Sequence, residues 1–588
     1  MCGITLTITA QSGTTSNPCP DLHTSLAEAN STRGPDSSGT FRQTISLDAG
    51  GEAFLTLTSS VLGLRGGLTA QPIVGETGVL AWNGQVFDGL PISKGDNDTR
   101  AIFDLLESGV EFEDVLSRIE GPYACVWYKR SSQSLHFQVD PLSRRSLLIS
   151  LPTLSKPTFA LTSTRSAYAR EQGVEMRALL GGEGGSLHLN KIKIDGSGGL
   201  DLSEALEMRS CLPGPSTWTR VQSINQSLPP DDFIPSDSCA RGEVDRFEQH
   251  LQDAVRSRIC NIPDPHLGDA RVAILFSGGV DCSLLACLVH QCLPPDEPIE
   301  LINVAFQRSK SGNTPATSKG KGWKKPCKPP NGRPNDEPAS TESHAPATLI
   351  HPSPGIASEY DTPDRLSGYQ ALEELRASCP GREWRFVEVN VTYEEYHEHR
   401  LRIVDLMYPV TTEMDLSLAY PLYFASRGIG TLSGTPYIVR SKVYISGLGA
   451  DEQLGGYARH RHAYNTASFP GLLSSLQQDI IQLPSRNTSR DDRILSSFAR
   501  DARYPYLSLG FIGYLSAVPI WAKVHYESGE GWGDKLLLRL TAEKAGLKGT
   551  ARRVKRAMQF GSRSAKVDGG VKGKAAGFRK IEQTADLR

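Results

Sequence analysis

Leu275-Phe276-Ser277-Gly278-Gly279-Val280-Asp281-Cys282-Ser283 decides the fold of the longer half of this chain. A continuous apolar strand over residues 271–276 runs into a Ser-Gly-Gly turn, and the turn opens a buried helix over 283–293. Two glycines let the backbone curl its N–H groups into a nest, and the helix N-terminus adds positive dipole, which together suit a pyrophosphate. The hydroxyls of Ser277 and Ser283 can donate to phosphate oxygens, whereas Asp281 can face phosphate only through a divalent cation. No Gly-Lys-Ser/Thr ending follows, so this is not a Walker loop. Read locally, an ordinary strand–turn–helix with glycines chosen for tightness has the same pattern.

Outward from this loop, strands and helices alternate. An amphipathic helix over 244–259 precedes it, with Val244, Phe247, Leu251, Ala254, Val255 and Ile259 on one stripe. Strands follow at 301–306, 384–391 and 442–446, with helices at 368–377, 393–406 and 412–428. That alternation predicts a parallel sheet with helices on both faces. Residues 308–363 interrupt it. They are rich in Ser, Pro, Lys, Gly and Asn, cannot bury enough apolar surface to offset ordering entropy, and read as a disordered insertion. Its basic core, Lys319-Gly320-Lys321-Gly322-Trp323-Lys324-Lys325, reads as solvated loop. Cys282, Cys287 and Cys292 are five apart, a spacing that turns successive residues by roughly 140° on a helix, so they cannot share a metal.

A second glycine-rich site runs from Ser446-Gly447-Leu448-Gly449 through Ala450-Asp451-Glu452 to Tyr457. Glu452 occupies the third glycine position of a dinucleotide fingerprint, which excludes that reading. A strand end, two glycines and an acidic pair instead offer backbone contacts to a nucleotide and a carboxylate, Asp451, for the same cation as Asp281.

The first half reads differently. Strands at 3–8, 53–57, 78–82, 123–128 and 134–137, with sparse helices at 99–107 and 112–119, predict an antiparallel sandwich with a few covering helices. It ends near 213–235, where Pro, Ser and Asp accumulate. Cys2 becomes the first residue once Met1 is removed, and an N-terminal cysteine carries nucleophile and base together because its α-amine titrates near neutrality. Downstream stand Arg33-Gly34-Pro35-Asp36, Arg65, Gln71-Pro72, Trp82-Asn83-Gly84, Asn97-Asp98-Thr99 and Asp140-Pro141-Leu142-Ser143-Arg144-Arg145.

Composition bounds the function. The chain has 588 residues, with 63 basic and 65 acidic side chains and a formal net charge of −2, which removes the electrostatic reason to expect nucleic-acid binding. No run of about 18 apolar residues occurs, so no membrane span is expected. Met1-Cys2-Gly3-Ile4 lacks the basic and apolar regions of a secretory signal. The 11 cysteines include no Cys-x-x-Cys pair. A reduced, cytoplasmic, multidomain protein is expected.

In order and spacing the N-terminal motifs resemble the class II glutamine amidotransferase domain, and the Ser-Gly-Gly-x-Asp string resembles the pyrophosphate loop of ATP pyrophosphatases. Together they resemble glutamine-dependent asparagine synthetase over nearly the whole chain. Residues 140–148, 364–368, 449–454, 535–540 and 555–562 sharpen the likeness to one branch of that family. The resemblance implies a two-domain α/β and α+β protein. Residues 1–215 would form a four-layer αββα N-terminal-nucleophile fold, 216–240 a linker, and 241–562 a parallel-sheet ATP pyrophosphatase (adenine nucleotide α-hydrolase-like) domain, with 563–588 a basic tail. Cys2 would attack the glutamine amide, Arg65 and Asp98 would hold the glutamine α-carboxylate and α-amine, and Asn83 and Gly84 would form the oxyanion hole. ATP would meet Ser277, Gly278, Gly279, Asp281, Ser283, Ser446, Gly447, Asp451 and Arg556. Mg2+ would sit on Asp281 and Asp451, and Lys555 would neutralise phosphate charge.

The implied reaction transfers ammonia from glutamine to an adenylated carboxylate, nominally aspartate, giving asparagine, glutamate, AMP and pyrophosphate. The implied partners are glutamine, ATP and aspartate or another carboxylic acid, with no nucleic acid or membrane, and a homodimer is compatible with the pattern. Departures fall at Gln85, Phe87, Asp88 and Arg100, and, on the acceptor side, at two positions. Leu448 replaces a glutamate that could transfer a proton, and Met414 in Thr411-Thr412-Glu413-Met414 replaces an arginine. An amide synthetase with another acceptor, or a degenerate member acting as an interaction subunit, remains open at this point.

Overall fold

The strand Cys2–Thr9 is buried along nearly its whole length, and its alternation divides it between two cores. Ile4, Leu6 and Ile8 face a second sheet and pack with Val79, Ala81 and Val126. Thr5 and Thr7 point the other way, toward the helix Leu22–Ser31, where Asn30 Nδ2 donates to Thr5 Oγ1 at 2.9 Å and Thr7 meets His23 at 2.9 Å. The computed structural model that shows this describes residues 2–10, 21–93, 95–196, 198–209, 221–230, 232–233, 236–307, 358–567 and 579–581.

Cys2–Thr9 lies inside a 6-stranded sheet between Phe159–Thr162 and Glu52–Val61, with Cys2 opposite Val61. The second 6-stranded sheet centres on Gly78–Gly84, Tyr123–Lys129 and Ser134–Val139. Its outer face carries Leu80 and Trp82 against the helices Asp98–Glu107 and Phe112–Arg118. The layers therefore run helix, sheet, sheet, helix, and the expected sandwich is present. The edge strand Ser37–Ser46 and the helix Leu22–Ser31 were not anticipated. Ser37–Ser46 has only Phe41 and Ile45 as large apolar residues and alternates between half-buried and exposed, which leaves little periodic signal.

The second half contains a 7-stranded sheet, ordered Thr435–Ile438, Ile429–Leu432, Trp384–Val391, Ile299–Phe306, Val272–Leu275, Val443–Ile445, Asp501–Arg503. The last five strands run parallel, as the alternation predicts. The first two form an antiparallel hairpin on the edge, a departure from an all-parallel sheet. The helix expected over 393–406 is two, Tyr393–Glu398 and Arg400–Met407. The phosphate-loop helix spans Val280–Cys292 and buries Leu284, Leu285, Leu288 and Val289, each worth about 1.5–3 kcal/mol if fully withdrawn from water.

Two boundaries need correction. The helix Pro363–Ser378 starts at the residue where the insertion was expected to end, because Thr362 caps it by accepting from Arg365 N, and Ser358–Asp361 are already hydrogen-bonded. The rest of the insertion, with its basic core, lies outside the described residues. In the tail, Ser564–Lys566 forms a 3₁₀ turn and Lys580 pairs with Thr412.

The two halves meet through buried charge. Arg33 pairs with Asp492 at 2.8 Å, Arg145 with Asp492 at 3.4 Å and with Asp501, and Arg258 with Glu120 at 2.6 Å. Ser146 N also donates to Asp492, and Arg144 donates to the Leu507 carbonyl. The Asp140-to-Arg145 run is thus interface. Removing one partner of such a pair strands a charge out of water, a loss of about 3–5 kcal/mol.

Candidate functional site

In the first half, three chain segments assemble around Cys2. Its Sγ is buried, and Gln71 Nε2 lies 3.7 Å from it while Gln71 Oε1 accepts from Trp82 N at 2.7 Å. Cys2 N donates to Asn83 Oδ1 at 2.9 Å, and Arg33 Nε donates to the Cys2 carbonyl at 3.3 Å. Burial pushes the thiol above its ordinary range, Asp98 adds to this, and Arg33 pulls against it. Asn83 belongs to Gly78–Gly84, and its Nδ2 is buried with no hydrogen-bond partner among the described residues. A Cβ on Gly84 would lie 2.6 Å from the Pro122 carbonyl and 2.7 Å from the Trp82 ring, so only glycine fits beside Asn83.

Asp98 opens the helix Asp98–Glu107 behind the cap Asn97 and accepts from Val86 N at 3.1 Å and Thr99 N at 3.0 Å. Burial raises its pKa and the charge of Arg65 lowers it again. Arg65 donates to the Val86 carbonyl, while its Nε is buried without a partner among the described residues. Asn97 Nδ2 holds the Arg65 carbonyl at 3.0 Å. Cys2, Arg65, Asn83, Gly84 and Asp98 therefore belong to one chamber: a thiol, an unspent amide donor, and one group of each charge. Gln71, quoted in the sequence without a role, donates to the sulfur.

The second chamber forms at the phosphate loop. Gly278 has a φ of +74°, and a Cβ there would clash with the Ser367 carbonyl. Ser367 Oγ donates to the Ser277 carbonyl at 2.9 Å, so the helix Pro363–Ser378 backs the turn. Ser283 Oγ is buried with no partner among the described residues. A Cβ on Gly447 would lie 3.1 Å from Asp281 Cβ, which shows how closely the second loop presses on the first. Ser446 Oγ accepts from Leu448 N at 3.3 Å and so shapes that loop.

Asp281 and Asp451 meet, and an ammonium stands between them. Lys535 Nζ lies 2.7 and 2.9 Å from the two Asp281 oxygens and 2.9 Å from Asp451 Oδ1, and Lys555 binds the other Asp451 oxygen. Burial alone would raise Asp451, but Lys535 and Lys555 outweigh it and hold the carboxyl well below its usual range. Desolvation opposes the charge on Lys555, yet Asp451 and Asp281 raise its pKa above the usual value. Glu452 is buried beside Asp451, which pushes it up to about 7, and it accepts from Tyr457 OH at 2.6 Å. Arg553, two residues before Lys555, donates to the Gly278 carbonyl and so touches the phosphate loop. Arg556 is exposed and acts on Asp364, whose burial lifts it to about 7.

Sequence reasoning missed the roles of Lys535 and Arg553. Lys535 lies 254 residues from Asp281, and no local spacing ties them. The fit to a divalent cation is chemical: Asp281 and Asp451 are hard oxygen donors, the set magnesium prefers, with substrate phosphates completing it. Among the described residues no group of three or more His, Cys, Asp or Glu side chains could hold a metal alone. Leu448 packs against an apolar cluster, and Met414 is exposed beside Glu413, which pairs with Arg400 at 2.9 Å. His460 is buried against Asp479 at 2.6 Å, a structural pair.

A thiol chamber in a four-layer sandwich, joined by buried ion pairs to a glycine-loop chamber on a largely parallel sheet, defines a two-chamber protein of mixed α/β class. The chain is 34% identical over 605 residues to asparagine synthetase domain-containing protein 1 of Bos taurus, covering 91% of this chain and 92% of that one. The Homo sapiens protein of the same name is 32% identical, with 97% and 96% covered. The chain belongs to the asparagine synthetase domain-containing protein 1 family. No family model matches it. Among solved structures, a glutamine phosphoribosylpyrophosphate amidotransferase from B. subtilis aligns at 12% identity over 53% of this chain and 69% of that chain, with a TM-score of 0.24. That likeness is too distant to carry the fold. Among the described residues no helix is long and apolar enough to cross a membrane.

Proposed function

We propose that the chain is a glutamine-dependent amide-forming ligase of the asparagine synthetase type, pairing a class II glutamine amidotransferase domain with an ATP pyrophosphatase domain. The observation that carries this reading is the meeting of Asp281 and Asp451, from the first turns of two helices that follow separate glycine loops, on Lys535. Removal of Met1 leaves the Cys2 nitrogen as an α-amine next to Asn83, able to take the thiol proton. The sulfur then attacks the side-chain amide carbon of glutamine, the C–N bond breaks as the α-amine returns the proton to the departing ammonia, and water later cleaves the thioester to release glutamate. Asn83 Nδ2 and Gly84 N–H stabilise the oxyanion, while Arg65 and Asp98 hold the α-carboxylate and α-amine by charge-assisted bonds.

In the second chamber, incoming ATP phosphates draw Lys535 and Lys555 off the carboxylates, which frees Asp281 and Asp451 to hold magnesium. Magnesium held there by Asp281 and Asp451 would supply positive charge to the departing pyrophosphate. The loop N–H groups from Ser277 to Gly279 and the Ser283 hydroxyl position the phosphates. The adenylated acid, nominally aspartate, then takes ammonia with loss of AMP. One observation favours a different acceptor: Leu448 sits in apolar packing and Met414 presents no charge, so neither supplies a proton-transfer group or a cation to an aspartate.

Pyrophosphate release is measured with glutamine, ATP and magnesium, with and without aspartate. Aspartate-dependent release is expected. Release with another carboxylic acid but not aspartate establishes the second reading. Absence of both pyrophosphate release and glutaminase turnover overturns the ligase and leaves an interaction subunit.

A further inference from the structure

We propose that Cys287 and Cys379 form a redox-modification site, a thiol pair that hydrogen peroxide converts to a disulfide joining the phosphate-loop helix to the helix behind it. Their sulfur atoms lie 3.8 Å apart, and both residues are buried. Cys287 sits midway along Val280–Cys292, and Cys379 caps the C-terminal end of Pro363–Ser378. Neither touches the groups of the two chambers. The geometry also separates the roles of the two sulfurs. Cys379 is followed by exposed Pro380 and Gly381, so a small oxidant reaches it from the helix end. The nearby charge of Arg382 pulls the pKa of Cys379 down, while burial pushes that of Cys287 up. The thiolate is the reactive form, so Cys379 is the attacker and Cys287 the resolving thiol.

The chemistry balances with one peroxide. The Cys379 thiolate attacks a peroxide oxygen, the O–O bond breaks, and the leaving hydroxide takes a proton to depart as water. Cys379 is then a sulfenic acid. Cys287 gives up its proton as its sulfur attacks Cys379, the S–O bond breaks, and a second water leaves. Two electrons pass from the sulfurs to the peroxide. The sulfurs close from 3.8 Å to about 2.05 Å. At their other ends the same two helices meet where Gly278 abuts the Ser367 carbonyl, so the bond fixes the wall of the phosphate loop.

The test uses the full-length protein. It is titrated with hydrogen peroxide, quenched, denatured, alkylated without reductant and peptide-mapped. Cys287 and Cys379 should leave the alkylated pool in parallel, appear as one linked peptide pair lighter by two hydrogens, and return with dithiothreitol. Cys287→Ala should leave Cys379 as a sulfenic acid captured by dimedone. Full alkylation of both thiols at doses that oxidise the exposed Cys260 overturns the proposal, as does linkage of Cys379 to another cysteine. The mapping of the unmodified chain decides the matter even if the variant fails to fold.

Discussion

The two chambers treat their polar groups in opposite ways. Around Cys2 the donors are unspent: Asn83 Nδ2 and Arg65 Nε are buried without partners among the described residues. At the phosphate loop the charges have consumed each other, with Asp281 and Asp451 bound to Lys535 and Lys555. The first arrangement holds its hydrogen bonds in reserve and can accept a substrate with little rearrangement. The second is stable as it stands and, on the proposed function, must exchange partners when phosphate arrives. Buried polar groups are costly unpaired, so the first chamber gives up stability for readiness and the second the reverse.

That contrast can be broken by substitution. Cys2→Ala should cut glutamine hydrolysis by about 10³-fold or more while ammonia-driven pyrophosphate release persists; loss of both would mean that the chambers are not separable. Lys535→Met leaves the buried carboxylate of Asp451, held by Lys555 alone, facing the half-buried one of Asp281, and should lower stability by about 3 kcal/mol in urea titration, together with loss of pyrophosphate release. An unchanged urea midpoint would end the claim that the second chamber is self-neutralised. Asn83→Ala should lower glutaminase kcat by about 10²–10³-fold through the lost oxyanion donor, with a cost of about 1 kcal/mol in stability from the lost Cys2 N–Asn83 Oδ1 bond.

Glu452 gives a pH test of about 3 kcal/mol. Its folded pKa of about 7 stands above the unfolded value of 4.5. Below pH 4.5 both states carry the proton and the group is silent. Between 4.5 and 7 the unfolded chain ionises while the folded one does not, so stability falls as pH rises. Glu452→Gln should remove about half of that fall, leaving the comparable contribution of Asp364, whose burial lifts it from 3.8 to about 7. The smallest effect is expected for Asp98→Asn: a KM for glutamine raised about tenfold, from one lost charge-assisted bond, with little change in folding.

Much of this was legible in the sequence where the signal is local. Strand–helix alternation marked the parallel sheet, and the 244–259 stripe marked a helix observed at Val244–Ile259. The Cys2, Asn83 and Asp98 constellation was legible only by resemblance, since 81 residues of chain separate Cys2 from Asn83. The edge hairpin passed unread, although Ser433-Gly434, with φ of +51° and +80°, is a two-residue turn of the kind that closes such hairpins. Lys535 escaped because its meaning lies in a partner hundreds of residues away. An isolated lysine before Leu-Leu-Leu looks like any helix start. Cys379 escaped in the same way: helical spacing placed Cys287 in the core, but its neighbour comes from another helix.

Arg33 deserves a last consequence. Its guanidinium reaches from the Cys2 carbonyl to the Asp492 carboxylate, and Asp492 also receives Arg145 and Ser146. A recombination event that replaced either half with that of a distant cousin would strand these groups unless the matching arginines and aspartates travelled with it. Inheritance thus binds the halves as a single unit rather than as exchangeable modules, and fragments made at the bench are expected to associate when mixed.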